Sequence, residues 1–170
     1  MADVVADHRS QGPRTVRVAV LTVSDTRTLA TDASGDAIVA HCQGAGHEVV
    51  RRDLARDEPT AIGAWVLESR DRGDVEVAIL TGGTGVSPRD GTVEAVAPLL
   101  DRTIPGFGEL FRMLSFAEIG SAALMNRATA GLAGRMVVFL LPGSRAGVDL
   151  AMTRLVVPEL PHLVGQARKE

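Results

Sequence analysis

Apolar residues in this chain come in short unbroken runs separated by segments of helical period, and that alternation predicts a parallel sheet. Residues 16–23 (VRVAVLTV) form a β-branched run of strand length that ends at Ser24 and Asp25, as expected of a strand buried on both faces. Asp32 or Ser34 then caps a helix that reaches about residue 45, with Gly46 just past its end. Residues 49–54 read as a second, shorter strand. Pro59 stands where a first-turn proline is tolerated, and residues 61–70 carry Ile62, Trp65 and Val66 on one helical face. Residues 75–80 (VEVAIL) are a third strand, followed by a glycine-rich turn and a helix over about 92–100.

Pro105-Gly106 opens the second half. Leu110, Phe111, Leu114 and Ile119 predict one or two helices with a strongly apolar side over 107–124. Residues 131–134 (GLAG) read as a turn into the buried strand 136–141 (MVVFLL), which ends at Pro142-Gly143-Ser144. A last helical stretch over about 146–157 meets Pro158 and Pro161, which are expected to bend or divide it. The βαβαβα order of the first half implies right-handed crossovers. The expected architecture is a three-layer α-β-α fold with a mostly parallel sheet: a flexible leader over 1–15, one domain over 16–165, and a polar tail over 166–170.

Composition narrows the functions available. A net charge of −3 and 3% aromatic residues leave neither a basic field nor stacking platforms, so nucleic acid is not an expected partner. No apolar run approaches the roughly 18 residues of a membrane span, and the first twelve residues have no apolar signal-peptide core, so the expected location is cytoplasmic. Cys42 is the only cysteine, which excludes an internal disulfide and a thiolate zinc site; within a helix it reads as a small buried hydrophobe. His8, His41, His47 and His162 lack metal-ligand spacing. There is no tyrosine, and the only lysine is Lys169. A Schiff base or P-loop lysine is thereby implausible, and any phosphate must be handled by arginine, backbone N–H groups or a metal ion.

Three strand ends are rich in polar or glycine residues: Ser24-Asp25, Thr81-Gly82-Gly83-Thr84-Gly85, and Pro142-Gly143-Ser144. Ligands of open parallel sheets lie beyond such ends. The glycine segment is the sharpest signal, because successive N–H groups and a following helix N-terminus suit an anion. A Cβ at Gly83 would obstruct that approach. The bland alternative is a tight turn that merely needs positive φ. Asp90, seven residues past Gly83, reads either as the cap of the helix near Thr92 or as an acid that holds Mg²⁺ beside a phosphate. Asp57 has the same ambiguity before Pro59. Arg89, Arg112 and Arg145 are available to neutralise phosphate, and Ser144 offers a hydroxyl or a helix cap.

The ordered set of strings LTVSD (21–25), TDASG (31–35), ARDEPTAI (55–62), ILTGGTGVSPRDGTVEAV (79–96), GFGELFRMLSFAEIG (106–120) and LLPGS (140–144) resembles the MoaB/Mog family of molybdopterin adenylyltransferases, with FRMLSF leaning to the MoaB branch. The resemblance implies a molybdopterin-binding fold and a Mg²⁺-dependent reaction that joins ATP to molybdopterin with release of pyrophosphate. By position it assigns Asp57 and Asp90 jointly to catalysis and to Mg²⁺. It assigns Gly82, Gly83, Thr84 and Gly85 to the ligand loop, with Ser24, Asp25, Arg89, Pro142, Gly143 and Ser144 around it. Glu94 follows Asp90 by one helical turn, as its support or as a solvated first-turn acid. The resemblance further implies a homotrimer or homohexamer and a downstream molybdenum insertase as partner. A non-catalytic molybdopterin-binding or assembly protein is the other reading.

Overall fold

The computed structural model describes residues 12–169. Six strands form one sheet in the order β2-β1-β3-β6-β5-β4. They are β1 Arg17–Val23, β2 Glu48–Ala55, β3 Val77–Thr81, β4 Arg102–Thr103, β5 Thr129–Ala133 and β6 Met136–Leu141. β2, β1, β3 and β6 run parallel; β5 and β4 extend the sheet antiparallel. The helices are α1 Ala33–Gly44, α2 Pro59–Asp71, α3 Thr92–Val96, α4 Pro105–Ile119, α5 Arg145–Ala151 and α6 Val157–Ala167.

The period of the strands sorts side chains to two cores. Val18, Val20, Val77, Ile79, Val137 and Phe139 face one layer together with Ile38, Phe107, Phe111, Val148 and Leu160. Ala19, Leu21, Ala78, Leu80, Val138 and Leu140 face the other with Ile62, Trp65 and Val66. Both faces of the central strands are therefore dry, which is why their sequences are apolar runs rather than alternations. Cys42 is buried in α1, and burial pushes its thiol up to about 12, in keeping with an inert core residue.

Three expectations change. Residues 131–133 are strand, not turn: a Cβ at Gly131 would stand 2.5 Å from the Arg102 carbonyl, so this glycine serves the close approach of β4. The turn itself is Gly134, at φ +61°, followed by Arg135. Pro158 and Pro161 do not divide the C-terminal helix. A π turn over Met152–Val156 joins α5 to α6, widening the helix just ahead of the Pro158 ring. The predicted tail begins inside α6, which ends at Ala167, and the predicted leader falls largely outside the described residues.

Asp32 anchors α1 to the sheet. It is wholly buried and accepts from the Gly35 N–H at 2.9 Å, the Thr22 hydroxyl at 2.7 Å and the Arg52 guanidinium at 3.1 Å. Burial opposes ionisation, but these donors outweigh it and hold the carboxyl below its usual 3.8. A lowered carboxyl contributes stability that is fully present above the usual value and fades as pH falls below it. Asp32→Ala leaves the Thr22 hydroxyl and the Gly35 N–H without their acceptor, while Arg52, a quarter exposed, keeps Asp36 at 2.7 Å; the change should cost about 2 kcal/mol at neutral pH. Thermal melts should show the gap between parent and variant shrinking as pH falls below 3.8; a gap independent of pH would refute the buried-ion account.

Candidate functional site

The sheet reverses its winding at the carboxyl ends of β1 and β3, since β2 lies on one side of β1 and β3 on the other. A crevice at such a point is where a ligand of this architecture binds. The Ser24-Asp25 and glycine segments flank it.

Gly82 and Gly83 have φ of +100° and +63°, conformations that L side chains rarely adopt. Their carbonyls turn inward. Buried Thr92 donates its hydroxyl to the Gly82 carbonyl at 2.8 Å and its N–H to the Gly83 carbonyl at 3.0 Å. The Thr84 carbonyl accepts from the Arg127 N–H at 3.2 Å, and the Gly82 N–H is spent on the Leu141 carbonyl. The N–H groups of Gly83, Thr84 and Gly85 have no acceptor among the described residues. These residues line a cavity of about 350 Å³ with Asp90, Ile119, Met125, Asn126, Pro142, Gly143 and Ser144.

Two details of the loop depart from expectation. A Cβ at Gly83 would run into Thr92 and stand 2.7 Å from Asp57 Oδ2, so this position is closed by the protein interior rather than by an approaching anion. The loop also does not feed a helix N-terminus directly: α3 starts only at Thr92, is five residues long, and its Gly91 N–H is already bonded to Asp57 Oδ1 at 3.1 Å.

The acids gather on the β1 side. Asp57, 8% exposed, does not cap α2, whose N-cap is Glu58 with no side-chain bond. Asp90 is likewise not the cap of α3, which is Gly91; its carboxylate accepts from the Ser87 N–H at 2.8 Å. Asp25 accepts from the Asp57 N–H at 3.2 Å. Burial, followed by the negative charges of Asp90 and Asp25, raises the Asp57 carboxyl, with the Gly91 N–H opposing. Arg89 is turned toward Asp25 at 2.9 and 3.1 Å and Glu58 at 3.0 Å, and this pairing lowers the Asp25 carboxyl. Neither Asp57 nor Asp90 takes part in an ion pair among the described residues. No cluster of three acidic, histidine or cysteine ligands occurs there either.

On the β6 side Ser144 caps α5 by accepting from the Gly147 N–H at 3.2 Å. Ser34 donates to the Gly143 carbonyl at 2.9 Å and receives Arg27 at 3.0 Å, tying this loop to α1. Ser24 accepts from the Thr26 and Arg27 N–H groups. Arg112 and Arg145 are bonded elsewhere, to the Ala128 carbonyl and to Asp149. Sequence reasoning missed Thr92 and Arg127 as parts of the site. Arg127 donates to the carbonyls of Gly85 and Asp90 and pairs with Glu94, which accounts for Glu94. A hollow of about 570 Å³ bordered by Asp101, Arg102, Gly134 and Lys169 is larger but lies at the opposite end of the strands, with no glycine loop.

A family model described as a probable molybdopterin binding domain matches residues 19–162. The molybdenum cofactor biosynthesis protein B of Bacillus subtilis (strain 168) is 46% identical over 167 residues, 98% of each chain. A crystal structure of a molybdenum cofactor biosynthesis protein B is similar with a TM-score of 0.90 at 45% identity, covering 93% of this chain and 99% of that one. The tungsten cofactor synthesizing protein MoaB from Pyrococcus furiosus is 33% identical with a TM-score of 0.82, covering 92% and 99%.

The raised Asp57 carboxyl carries a sign. Its ionisation is opposed in the folded chain, so the associated stability is present below the usual 3.8 and is lost as pH rises through the folded value. Asp57→Asn retains an oxygen for the Gly91 N–H and removes the charge. It should melt higher than the parent near neutral pH, within the roughly 0.5–2 kcal/mol typical of a stabilising substitution, with the advantage vanishing in acid. A lower melting temperature at neutral pH would contradict this.

Proposed function

Since the chain belongs to the molybdopterin-binding family of molybdenum cofactor biosynthesis proteins, on its MoaB side, we propose that it adenylylates molybdopterin. The terminal phosphate of molybdopterin attacks the α-phosphorus of ATP, a phosphorus–oxygen bond forms, and pyrophosphate leaves. The observation that carries this reading is the pairing of N–H groups at Gly83–Gly85 and two carboxylates, Asp57 and Asp90, that enter no backbone bond and no ion pair respectively among the described residues.

Phosphate oxygens are taken by those N–H groups, as fixed dipoles that need no reorganisation during transfer. Ser24, Asp25 and Pro142–Ser144 form the walls, and Arg89 braces Asp25 rather than meeting ligand directly. The donor set suits Mg²⁺, a hard ion held by one or two carboxylates with the rest of its shell from water and substrate phosphates; Asp57 and Asp90 would hold it. Its contribution is to neutralise charge shared among the phosphates. The product would pass to a molybdenum insertase. No described helix is long and apolar enough to cross a membrane, in line with a cytoplasmic step.

Purified protein incubated with Mg-ATP and molybdopterin should yield adenylyl-molybdopterin and pyrophosphate. Asp90→Asn keeps the acceptor for Ser87, so its fold should stay within about 1 kcal/mol of the parent while turnover falls roughly 10²- to 10⁴-fold. Near-parental turnover would demote Asp90, and tight molybdopterin binding without product would favour a non-catalytic binding protein.

We also propose a homotrimer or homohexamer, assembled through Leu110, Met113, Phe116 and Ile119 of α4 with Leu124 and Met125 beyond it. Phe116 is 63% and Leu124 82% exposed, an apolar concentration that solvent-facing surfaces avoid. Light scattering at micromolar concentration should give a multiple of 17.8 kDa; a stable monomer would dismiss the assembly.

A further inference from the structure

Residues 85–90 leave the glycine loop and return at the start of α3, carrying Asp90 at their end. The excursion is closed from within: the Asp90 N–H donates to the Ser87 carbonyl at 2.9 Å, and the Asp90 carboxylate accepts from the Ser87 N–H at 2.8 Å. Its two ends are joined by one side chain. Arg127 Nε donates to the Gly85 carbonyl at 2.7 Å and its Nη2 to the Asp90 carbonyl at 3.1 Å. The far edge of the guanidinium is held by both oxygens of Glu94, one through Nη1 and the other through Nη2 at 3.3 Å. The Arg127 backbone N–H grips the adjoining Thr84 carbonyl, so main chain and side chain fasten the same loop.

We infer that Arg127, buttressed by Glu94, is a positioning residue that clamps both ends of the 85–90 excursion and thereby fixes the Asp90 carboxylate. Asp90 borders two cavities, the one of about 350 Å³ beside the glycine loop and another of about 480 Å³ lined by Pro59, Ser87, Gly91, Glu94 and Arg127. A rigid Asp90 is what keeps one carboxylate presented to both. The inference rests on the reading of Asp90 as the acid that orients metal and phosphate.

Arg127 is not itself positioned as a phosphate ligand, because four bonds from its five N–H donors already go to protein oxygens. Nor is it a large source of stability. Its side chain is 31% and that of Glu94 58% exposed, and exposed pairs contribute little to folding. What the planar fork provides is simultaneous reach to two carbonyls and a carboxylate, which the single ammonium of lysine cannot reproduce.

The experiment follows amide exchange by NMR in the full chain and in Arg127→Met, Arg127→Lys and Glu94→Gln. Local opening should speed exchange at Ser87 and Asp90 by about tenfold or more in Arg127→Met, less in the other two, with the amides of β3 within about twofold of the parent. Where the parent turns over, kcat should fall about tenfold while KM for molybdopterin stays within about twofold, with partial recovery in Arg127→Lys. Unchanged exchange at Ser87 and Asp90 overturns the clamp. So does an equal acceleration throughout β3, which would mark Arg127 as a merely structural residue, and so does an unaltered kcat in a variant whose loop exchange has risen. A parent with no adenylyl transfer removes the proposed reaction, and the exchange data then decide the clamp alone.

Discussion

The site hangs on Thr92. From a wholly buried position it donates its hydroxyl to the Gly82 carbonyl and its N–H to the Gly83 carbonyl, and buried bonds of this kind are costly to leave unmade. The turn keeps two successive carbonyls inward at positive φ, where a Cβ would meet the Val23 carbonyl at Gly82 and Thr92 Oγ1 at Gly83, so both positions are glycine. It also leaves the following N–H groups outward and unspent. The same residue opens α3, so the helix that follows Asp90 and the loop that precedes it are set by one side chain.

The electrostatics follow a consistent pattern. The arginines near the crevice are engaged by protein: Arg89 by Asp25 and Glu58, Arg127 by Glu94 and two carbonyls, Arg145 by Asp149. Exposed pairs of this sort add little to the stability of the fold, so their consequence is geometric. An arriving phosphate meets backbone dipoles first and a local excess of carboxylate next. Such a ligand is repelled unless it brings a cation, and that is the physical reason the proposed reaction has its nucleotide enter with a metal ion rather than alone.

What was legible in the sequence was what is local. The buried runs, the helix caps at Asp32 and Ser144, and the glycine loop are read from neighbours a few positions apart, and the four parallel strands and first helix stand within a residue or two of expectation. What was not legible depends on partners distant along the chain. Asp57 looked like a cap for the helix beginning at Pro59, yet its oxygen is bonded to the N–H of Gly91. Gly131 looked like a turn because the backbone of Arg102 that crowds it comes from another segment. Arg127 sits in an irregular link before β5 with no periodic signal at all, and only the fold brings it to Gly85 and Asp90.

Asp32 and Asp57 set a structural acid beside an acid of the proposed site. Both are buried aspartates in one small domain, and burial opposes ionisation at both. At Asp32 three donors answer it and the carboxyl is lowered, the ordinary outcome for a charge retained to hold structure. At Asp57 one N–H answers it, two further carboxylates aggravate it, and the carboxyl is raised. Folding alone has no use for the second arrangement, since an amide or alanine would relieve it. The chain answers the charge of Asp32 with three donors and leaves that of Asp57 opposed beside spare N–H groups, which is where the proposed cation would relieve it.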